Sequence, residues 1–193
     1  MPTAPHHDDL GGAVDALASE GAIRRLLAAY LDAVDRGRDG ARVAGFFADD
    51  VFEGVGHLLA FLGRHQGRPA IAAHFDATRQ HLTFSLHLPA NEAILVEGDH
   101  ARGSWTYLQA AVHDGQPVWV AGRWRNRFTR VAGEWRIARI TCEGVFLAPY
   151  RDGWPPSTRP PDAPGADPAN VFRHTANVRP ASTTEGDRCP PPR

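Results

Sequence analysis

Residues 86–147, LHLPANEAILVEGDHARGSWTYLQAAVHDGQPVWVAGRWRNRFTRVAGEWRIARITCEGVFL, decide the fold. Apolar and polar residues alternate along this stretch with a period of two, which is the pattern of half-buried β-strands. The alternation is interrupted by turn-forming segments at Glu97-Gly98-Asp99, His113-Asp114-Gly115-Gln116 and Ala132-Gly133. We therefore predict strands that are joined by tight turns into an antiparallel meander. The predicted strands cover residues 86–97, 100–112, 117–130 and 134–147.

Upstream of residue 86 the apolar residues recur at helical spacing. The first predicted helix covers residues 13–36, and Gly37 provides a C-terminal stop. Its apolar stripe consists of Ile23, Leu26, Leu27, Tyr30 and Val34. The segments that follow are a helix over 39–48, a short strand over 50–55 and a helix over 71–80 that begins near Pro69. Helices followed by a meander predict an α+β fold with the helices packed on one face of the sheet.

The two ends of the chain differ in composition from the middle. Residues 1–11 are polar and glycine-rich, and we expect a flexible tail there. Residues 12–150 are predicted to form one domain. Residues 151–193 form a C-terminal extension, and ten of the sixteen prolines fall within 155–193. Proline fixes φ and removes backbone donors, so regular structure is disfavoured there. Within the extension, Val171 and Phe172 form an apolar island able to dock on the domain.

The composition disfavours several classes of function. A net charge of −1 gives no electrostatic footprint for nucleic acid, and no apolar run reaches the about 18 residues of a membrane span. The N-terminus has no pattern of a secretory signal, and Cys142 and Cys189 make no framework, so we expect a reduced, cytoplasmic protein. Phosphate-loop, GxSxG, HExxH and CxxC motifs are absent, which disfavours hydride transfer, phosphoryl transfer and thiol chemistry.

Four segments carry a more specific signal: AIRRLLAAYLDAVDRG at 22–37, FFADDVFEG at 46–54, HLPANEAILVEGDHA at 87–101 and AGRWRNRFTRVAGEWRIARI at 121–140. In this order they resemble SnoaL-like domains of the nuclear-transport-factor-2-like superfamily, over about residues 20–147. The resemblance implies a cone in which a strongly curved antiparallel sheet, closed by helices on its concave face, encloses an apolar pocket. Relatives include scytalone and bile-acid dehydratases, polyketide cyclases, steroid isomerases and non-catalytic binding modules.

The dehydratase branch of this family uses an Asp–His pair, and the matching positions here are Asp35 and His87, with Tyr30 as a third member. Histidine titrates near neutral pH and is suited to taking and returning a proton. An aspartate on the far ring nitrogen fixes the tautomer and stabilises the imidazolium. The residues leave alternatives open, because Asp35 is also compatible with a solvated helix end. His81 competes with His87, since a register shift of one residue exchanges the two faces of a strand.

Aromatic and polar residues on the predicted strands supply candidate walls for the pocket. Trp105 and Tyr107 share one strand face, and Trp124 and Asn126 share a face of the next strand. Arg139 alternates with the core residues of the last strand, so we expect it inside as an anion or carbonyl ligand, or in a buried salt bridge. The alternating arginines Arg123, Arg125 and Arg127 fall on the opposite, outer face. The spacing of His57, His65 and His74 fits no regular metal site, and we expect none.

These features predict a cofactor-free lyase or isomerase, of dehydratase, isomerase or cyclase type, with a hydrophobic cyclic or polyketide-like substrate from secondary metabolism or catabolism. The alternative is a ligand-binding or dimerisation module without catalysis. A third possibility is an epoxide hydrolase that uses an Asp-activated water. We expect a homodimer, with a trimer as the alternative. The segment VFLAPYRDGW at 145–154 is suited either to cover the pocket mouth or to wrap a neighbouring subunit.

Overall fold

The computed structural model describes residues 7–154. The helices are α1 (His7–Asp35), α2 (Gly40–Ala44), α3 (Gly56–Leu59) and α4 (Arg68–Thr78), with 3₁₀ turns at Ala60–Leu62 and Tyr150–Asp152. The strands are β1 (Phe47–Val55), β2 (Arg64–Gln66), β3 (Leu82–Glu97), β4 (His100–His113), β5 (Gln116–Val131) and β6 (Glu134–Pro149). Residues 1–6 and 155–193, including the predicted island of Val171 and Phe172, lie outside the described residues.

Within residues 7–154 the strands form one six-stranded sheet in the order β2-β1-β6-β5-β4-β3. Strands β3 to β6 are the predicted antiparallel meander, and their turns fall where the sequence places them. Strand β1 completes the sheet by pairing parallel to β6, while β2 pairs antiparallel to β1. The predicted α+β fold class is therefore confirmed.

Helix α1 is longer than the sequence suggested. It begins at His7 rather than at residue 13, so residues 7–11, which we assigned to a flexible tail, are helical. Gly11 and Gly12 lie in open space within the helix. Glycine costs a helix about 1 kcal/mol but does not prevent it, so a boundary placed at these glycines was wrong. None of the helices described between residues 7 and 154 is long and apolar enough to span a membrane.

The core lies between the helices and the concave face of the sheet. The stripe on α1 is buried at Ile23, Leu27, Tyr30 and Val34. It packs in one cluster with side chains from α4, β1 and the meander, among them Phe47, Phe75, Phe128, Ile137 and Ile140. Burial of this apolar surface is the main stabilising term of the domain, and it closes one side of the cone.

Four register shifts curve the meander, and the first lies between Leu82 and Phe84 at the start of β3. The β3–β4 ladder shifts between Ala90 and Ala93, where Asn91 adopts a positive φ of 51°. The β5–β6 ladder shifts twice, and Ala138 and Val145 are the extra residues on β6. A β-bulge bends its strand and increases the local twist. Each bulge also exchanges the faces on which the following residues lie, which determines the residues that enter the site.

The segment that follows β6 does not cross the concave side. Trp119 alternates with Val118 and Val120, which are buried in the core, so it lies on the convex face. Trp154 packs against Trp119 with ring centroids 5.7 Å apart, and it meets Phe146 edge-on at 5.1 Å. Of the two alternatives given for this segment, a lid over the pocket mouth does not fit residues up to 154. The segment instead extends the apolar convex surface.

Candidate active site

The carboxylate of Asp35 and the ring of His87 are in direct contact. Asp35 is the last residue of α1, and His87 faces it from β3. The Nδ1 atom of His87 lies 2.6 Å from Oδ1 of Asp35, and the backbone N–H of His87 donates to Oδ2 at 2.9 Å. The hydroxyl of Ser85 donates to Oδ1 at 2.7 Å. These bonds hold the carboxylate and the imidazole in one fixed orientation.

The electrostatics of the pair favour an ionised aspartate. Burial alone raises the pKa of Asp35, but hydrogen bonds from His87 and Ser85, together with the charge of His87, outweigh it and hold the pKa below its usual range. A carboxylate at a helix C-terminus is otherwise disfavoured by the helix dipole, so the bonds from β3 compensate for the position. Because an ionised carboxylate only accepts, Nδ1 of His87 carries a proton, which leaves Nε2 as the ring nitrogen that does not contact Asp35.

A cavity of about 100 Å³ lies between α1, the 3₁₀ turn at Ala60–Leu62 and the meander. Most of its wall is apolar, including Phe52, Leu59, Val120 and Leu147. The groups that can make polar contacts or stack on a ring belong to Tyr30, Arg38, His87, Tyr107, Gln109, His113 and Trp124. The volume is below the range of about 300–1,000 Å³ that is usual for pockets binding drug-sized ligands. A ligand larger than a few atoms therefore requires side chains at the mouth to move, and exposed Phe61 lies there.

Tyr30 and Tyr107 bring phenol groups to the cavity wall. Tyr30 is enclosed edge-on by the rings of Phe46, Phe47 and Phe75, with centroids 5.9 to 6.5 Å apart. Burial raises the pKa of both phenols far above the ordinary tyrosine value. Both hydroxyls therefore stay protonated at neutral pH and can act as hydrogen-bond donors to a ligand oxygen.

Tyr107 and Trp124 form an aromatic wall beside His87. Their rings stack at 4.3 Å with an interplanar angle of 13°, and His87 lies 5.7 Å from Trp124 between ring centroids. Gly122 creates the room for this stack, because a Cβ atom there would lie 2.7 Å from the Tyr107 ring. Cys142 also lines the cavity, and burial raises the pKa of its thiol to about 12, so this thiol is unreactive at neutral pH.

Two predicted wall residues lie outside the cavity. The indole of Trp105 folds back over Gly103 and packs edge-on against Phe128, while its Nε1 donates to Glu92 at 3.1 Å. Glu92 is within reach because of the bulge in β3. Asn126 is buried, and neither polar atom of its side chain bonds to a described residue. It follows Trp124 by two residues on β5, a displacement of about 7 Å, which takes it beyond the end of the cavity.

The predicted inward position of Arg139 is wrong. The extra residue Ala138 shifts the alternation of β6, so Arg139 pairs with Arg127 on the convex face. Its Nε lies 3.6 Å from Oε1 of Glu53, to which Thr141 also donates at 3.1 Å. The salt-bridge alternative therefore describes Arg139, although the side chain is partly exposed rather than buried.

The histidine that competed with His87 lies at the surface. His81 is exposed, and its Nδ1 contacts Oδ1 of Asp114 at 2.7 Å in the region of the β4–β5 turn. Among the other histidines, His65 and His74 stack at 4.2 Å beneath Phe52. No group of three or more possible metal ligands occurs within the described part of the chain.

Sequence reasoning missed three polar cavity residues, one of which is Gln109 on β4, only 8% exposed. Arg38 lies on the connection between α1 and α2 and is only 8% exposed. Arginine just after a helix end ordinarily faces water, so its sequence position carries no signal of burial. His113 also lines the cavity, from the end of β4. It stood in a segment that we interpreted only as a hairpin turn.

Comparisons with known proteins identify a family model and solved structures that are similar to this chain. The model of the SnoaL-like domain family matches residues 15–141. A comparison with curated proteins finds no match. Solved structures with the same fold include a proposed aromatic ring hydroxylase from Novosphingobium aromaticivorans, 29% identical with a TM-score of 0.60 over 68% of this chain and 92% of that one. A proposed scytalone dehydratase from the same organism is 17% identical, with a TM-score of 0.62 over 77% and 95%. The hexachlorocyclohexane dehydrochlorinase LinA-type3 from Novosphingobium barchaimii is 22% identical, with a TM-score of 0.59 over 69% and 90%.

The family match covers more than half of the chain, so the chain belongs to the SnoaL-like domain family. Its fold is that of the nuclear-transport-factor-2-like proteins with a cystatin-like arrangement. The resemblance stated from the sequence is thereby confirmed. The structural neighbours carry names of different reactions, so the shared fold does not identify the reaction of this chain.

Proposed function

We propose that this chain is a cofactor-free acid–base enzyme, a lyase or isomerase in which His87 removes a proton from carbon. The observation that carries the proposal is the contact of 2.6 Å between His87 and Asp35 at the wall of an apolar cavity. A histidine held by an ionised aspartate has one ring nitrogen available as a base. A histidine with only a structural role does not require a position at the wall of an apolar cavity.

In the proposed reaction, Nε2 of His87 takes a proton from a carbon next to a carbonyl, and the electron pair of the C–H bond moves into an enolate. Asp35 stabilises the imidazolium that results. In the proposal, the hydroxyls of Tyr30 and Tyr107, two residues of the cavity wall, donate to the enolate oxygen. Collapse of the enolate with loss of a β-substituent gives elimination. Return of the proton at another carbon gives isomerisation, and attack on a second carbonyl gives ring closure.

The cavity wall supports a hydrophobic cyclic or polyketide-like substrate. The stacked pair Tyr107 and Trp124 offers a flat aromatic surface. A planar ring of the substrate can stack on this surface at van der Waals distance. Phe52 and Phe75 enclose the opposite side with Tyr30. Such a substrate class fits secondary metabolism or the breakdown of aromatic compounds. Structural neighbours named as a dehydrochlorinase and a proposed dehydratase support an elimination as the overall reaction.

Proton abstraction can be tested without knowledge of the natural substrate. A panel of hydrophobic cyclic ketones is incubated with the protein in D₂O, and α-proton exchange is measured by NMR. We expect catalysed exchange with at least one ketone and a fall of about 10²–10⁴-fold in His87→Gln. His81→Gln, at the exposed histidine, is the matched control and should retain wild-type exchange. Exchange that is unchanged in His87→Gln would contradict the mechanism. Ketone binding without exchange would support the binding module instead.

We also propose that the chain forms a homodimer through the convex face of the meander. Cross-strand neighbours at one end of this face are apolar, and Leu86 and Leu88 on edge strand β3 are about half exposed. The apolar patch consists of Leu86, Leu88, Leu108, Ala110, Trp119, Ala121 and Phe146. A contiguous exposed surface of this kind marks an interaction site.

A further inference from the structure

The guanidinium of Arg38 is a buried cation at the cavity wall, and two of its nitrogens have no hydrogen-bond partner among the described residues. Arg38 is 8% exposed, and its Nε and Nη1 atoms are buried without a hydrogen bond to any described residue. Its Cζ lies 5.3 Å from the ring centroid of Phe75, a cation–π contact. Arginine remains protonated in proteins, so this part of the wall carries a full positive charge.

The nearby aspartate does not neutralise this charge by direct contact. Both carboxylate oxygens of Asp35 already accept hydrogen bonds from His87 and Ser85. Burial lowers the pKa of Arg38, and electrostatic interactions with Tyr30 and Asp35 oppose that shift without removing it. A desolvated guanidinium with unused donors is unfavourable for the folded protein. A group that carries such a cost in the free protein is suited to binding an anion.

The backbone directs Arg38 inward at a further cost. Its φ is 52°, in the left-handed region that non-glycine residues seldom adopt, directly after Gly37. This conformation ends α1 and turns the side chain into the domain instead of toward water. Strained positions of this kind cluster at ligand-binding sites, where the surrounding structure holds them.

We propose that Arg38 is the anion-binding residue of this cavity and that the ligand carries a carboxylate, or a comparable planar oxyanion, on an apolar ring system. The planar fork of a guanidinium matches the two oxygens of a carboxylate. The apolar body of the ligand then lies along Tyr107 and Trp124, with His87 beside it. This inference deepens the proposed function, since it takes the same cavity as the substrate site and names the charge of the substrate.

The test compares two probes of equal shape, benzoate and benzamide, by isothermal titration calorimetry. We expect the wild-type protein to bind benzoate about 10- to 100-fold more tightly than benzamide, the range for a charge-assisted hydrogen bond in a desolvated site. Arg38→Met and Arg38→Gln both remove the charge and should abolish the preference. Arg38→Lys keeps the charge without the fork and should retain a smaller preference. Equal binding of the two probes by the wild-type protein, or a preference that survives in both neutral variants, overturns the proposal.

Two controls separate this inference from its alternatives. His87→Gln should keep the preference for benzoate, and its loss there would assign anion binding to His87 instead. Arg38→Met should be at least as stable as the wild-type protein in thermal unfolding, because it removes an unpaired buried charge. A marked loss of stability in both Arg38→Met and Arg38→Gln, without a change in probe preference, would assign Arg38 a structural role. Because binding is measured without turnover, failure of the exchange assay and failure of this test are distinguishable.

Discussion

At the scale of single residues, the candidate site depends on three hydrogen bonds that converge on one carboxylate. Ser85 and the backbone of His87 fix the Asp35 oxygens, and Asp35 in turn fixes the ring of His87. The orientation of the His87 ring is therefore set by β3 as much as by α1. In this arrangement Asp35 orients the ring of His87. Experiment can separate this role from a general effect of a negative charge near the end of α1.

Asp35→Asn should lower the proton-exchange rate by about 10²–10⁴-fold while the protein stays folded. An amide at this position cannot stabilise the imidazolium, and its NH₂ group favours the wrong tautomer of His87. The measurement is the D₂O exchange assay with the ketone that reacts fastest. Asp32→Asn is the matched control on the same helix, because Asp32 is exposed and pairs with Arg36. A similar loss in both variants would point to the helix rather than to the pair.

The same carboxylate predicts a dependence of stability on acid. The pKa of Asp35 is lowered in the folded protein, so the unfolded chain binds a proton at a higher pH than the folded one. The stability contributed by ionisation is then present above the ordinary aspartate pKa, about 4, and is lost as the pH falls through the lowered value. In urea unfolding, the difference in stability between the wild-type protein and Asp35→Asn should be present at pH 5 and should shrink below about pH 4. A difference that grows in acid would contradict this.

The site residues that the sequence predicted and those that it misplaced or missed differ in what determines their position in the fold. Asp35 and His87 lie on regular elements, so their spacing in the sequence carried through to the structure. Arg139 was misplaced because one extra residue in β6 reverses the faces, and no local pattern marks that bulge. Arg38 was missed because its inward direction comes from a single positive φ in a connection. Arginine side chains are mostly exposed, so the residue type alone predicts exposure. The burial of Arg38 depends on tertiary contacts.

At the scale of elements, the period-two pattern was enough to predict all the strands of the meander, with ends within a few residues of those observed. The parallel pairing of β1 with β6 was not predictable, because it joins segments almost 90 residues apart by non-local contacts. The cavity depends on that pairing, since Phe52 reaches it from β1. The sequence therefore predicts the part of the cavity wall formed by β3 to β6 better than the part formed by β1.

Gly122→Ala should lower the free energy of unfolding by about 1–3 kcal/mol, the cost of overpacking a filled core. The added methyl group would meet both the Tyr107 ring and the carbonyl oxygen of Glu143. Because Trp124 stacks on Tyr107, the tryptophan fluorescence of the folded state should change as well. Gly12→Ala is the control, since its methyl group enters open space on α1 and should leave stability equal or higher. Equal effects of the two changes would mean that β5 is not closely packed there.

Helix α4 carries a second acid-sensitive group. Burial, with the charges of His65 and Arg38, lowers the pKa of His74 to about 4. The unfolded chain binds this proton near pH 6.5, so stability is lost as the pH falls from about 6.5 to 4. His74→Gln should lose less stability over that interval in urea titrations than the wild-type protein does. His100→Gln, at an exposed position on β4, should titrate like the wild-type protein; if it matches His74→Gln, burial of His74 is not the cause.

At the scale of the whole molecule, the two faces of the sheet have separate chemistry. The concave face carries the cavity, the Asp–His contact and Arg38, whose Nε and Nη1 have no hydrogen bond within residues 7–154. The convex face is apolar at one end and arginine-rich at the other, where Arg123, Arg125 and Arg127 are exposed. Because alternate residues of one strand serve both faces, a bulge that alters the site also alters the outer surface. The fold and the candidate site are coupled through strand register, whereas the proposed reaction depends on the few polar groups in the cavity.

The apolar patch on the convex face predicts the assembly state. Leu88 is 49% exposed on an edge strand, with apolar cross-strand neighbours as far as Phe146. Leu88→Arg should convert a dimer into a monomer in sedimentation velocity, because two like charges would face each other across a two-fold interface. Leu95→Arg is the matched control, since Leu95 is similarly exposed on the same strand but lies beside Arg102 at the arginine-rich end. A wild-type monomer would refute the interface, and a dimer that persists in Leu88→Arg would move it elsewhere on the molecule.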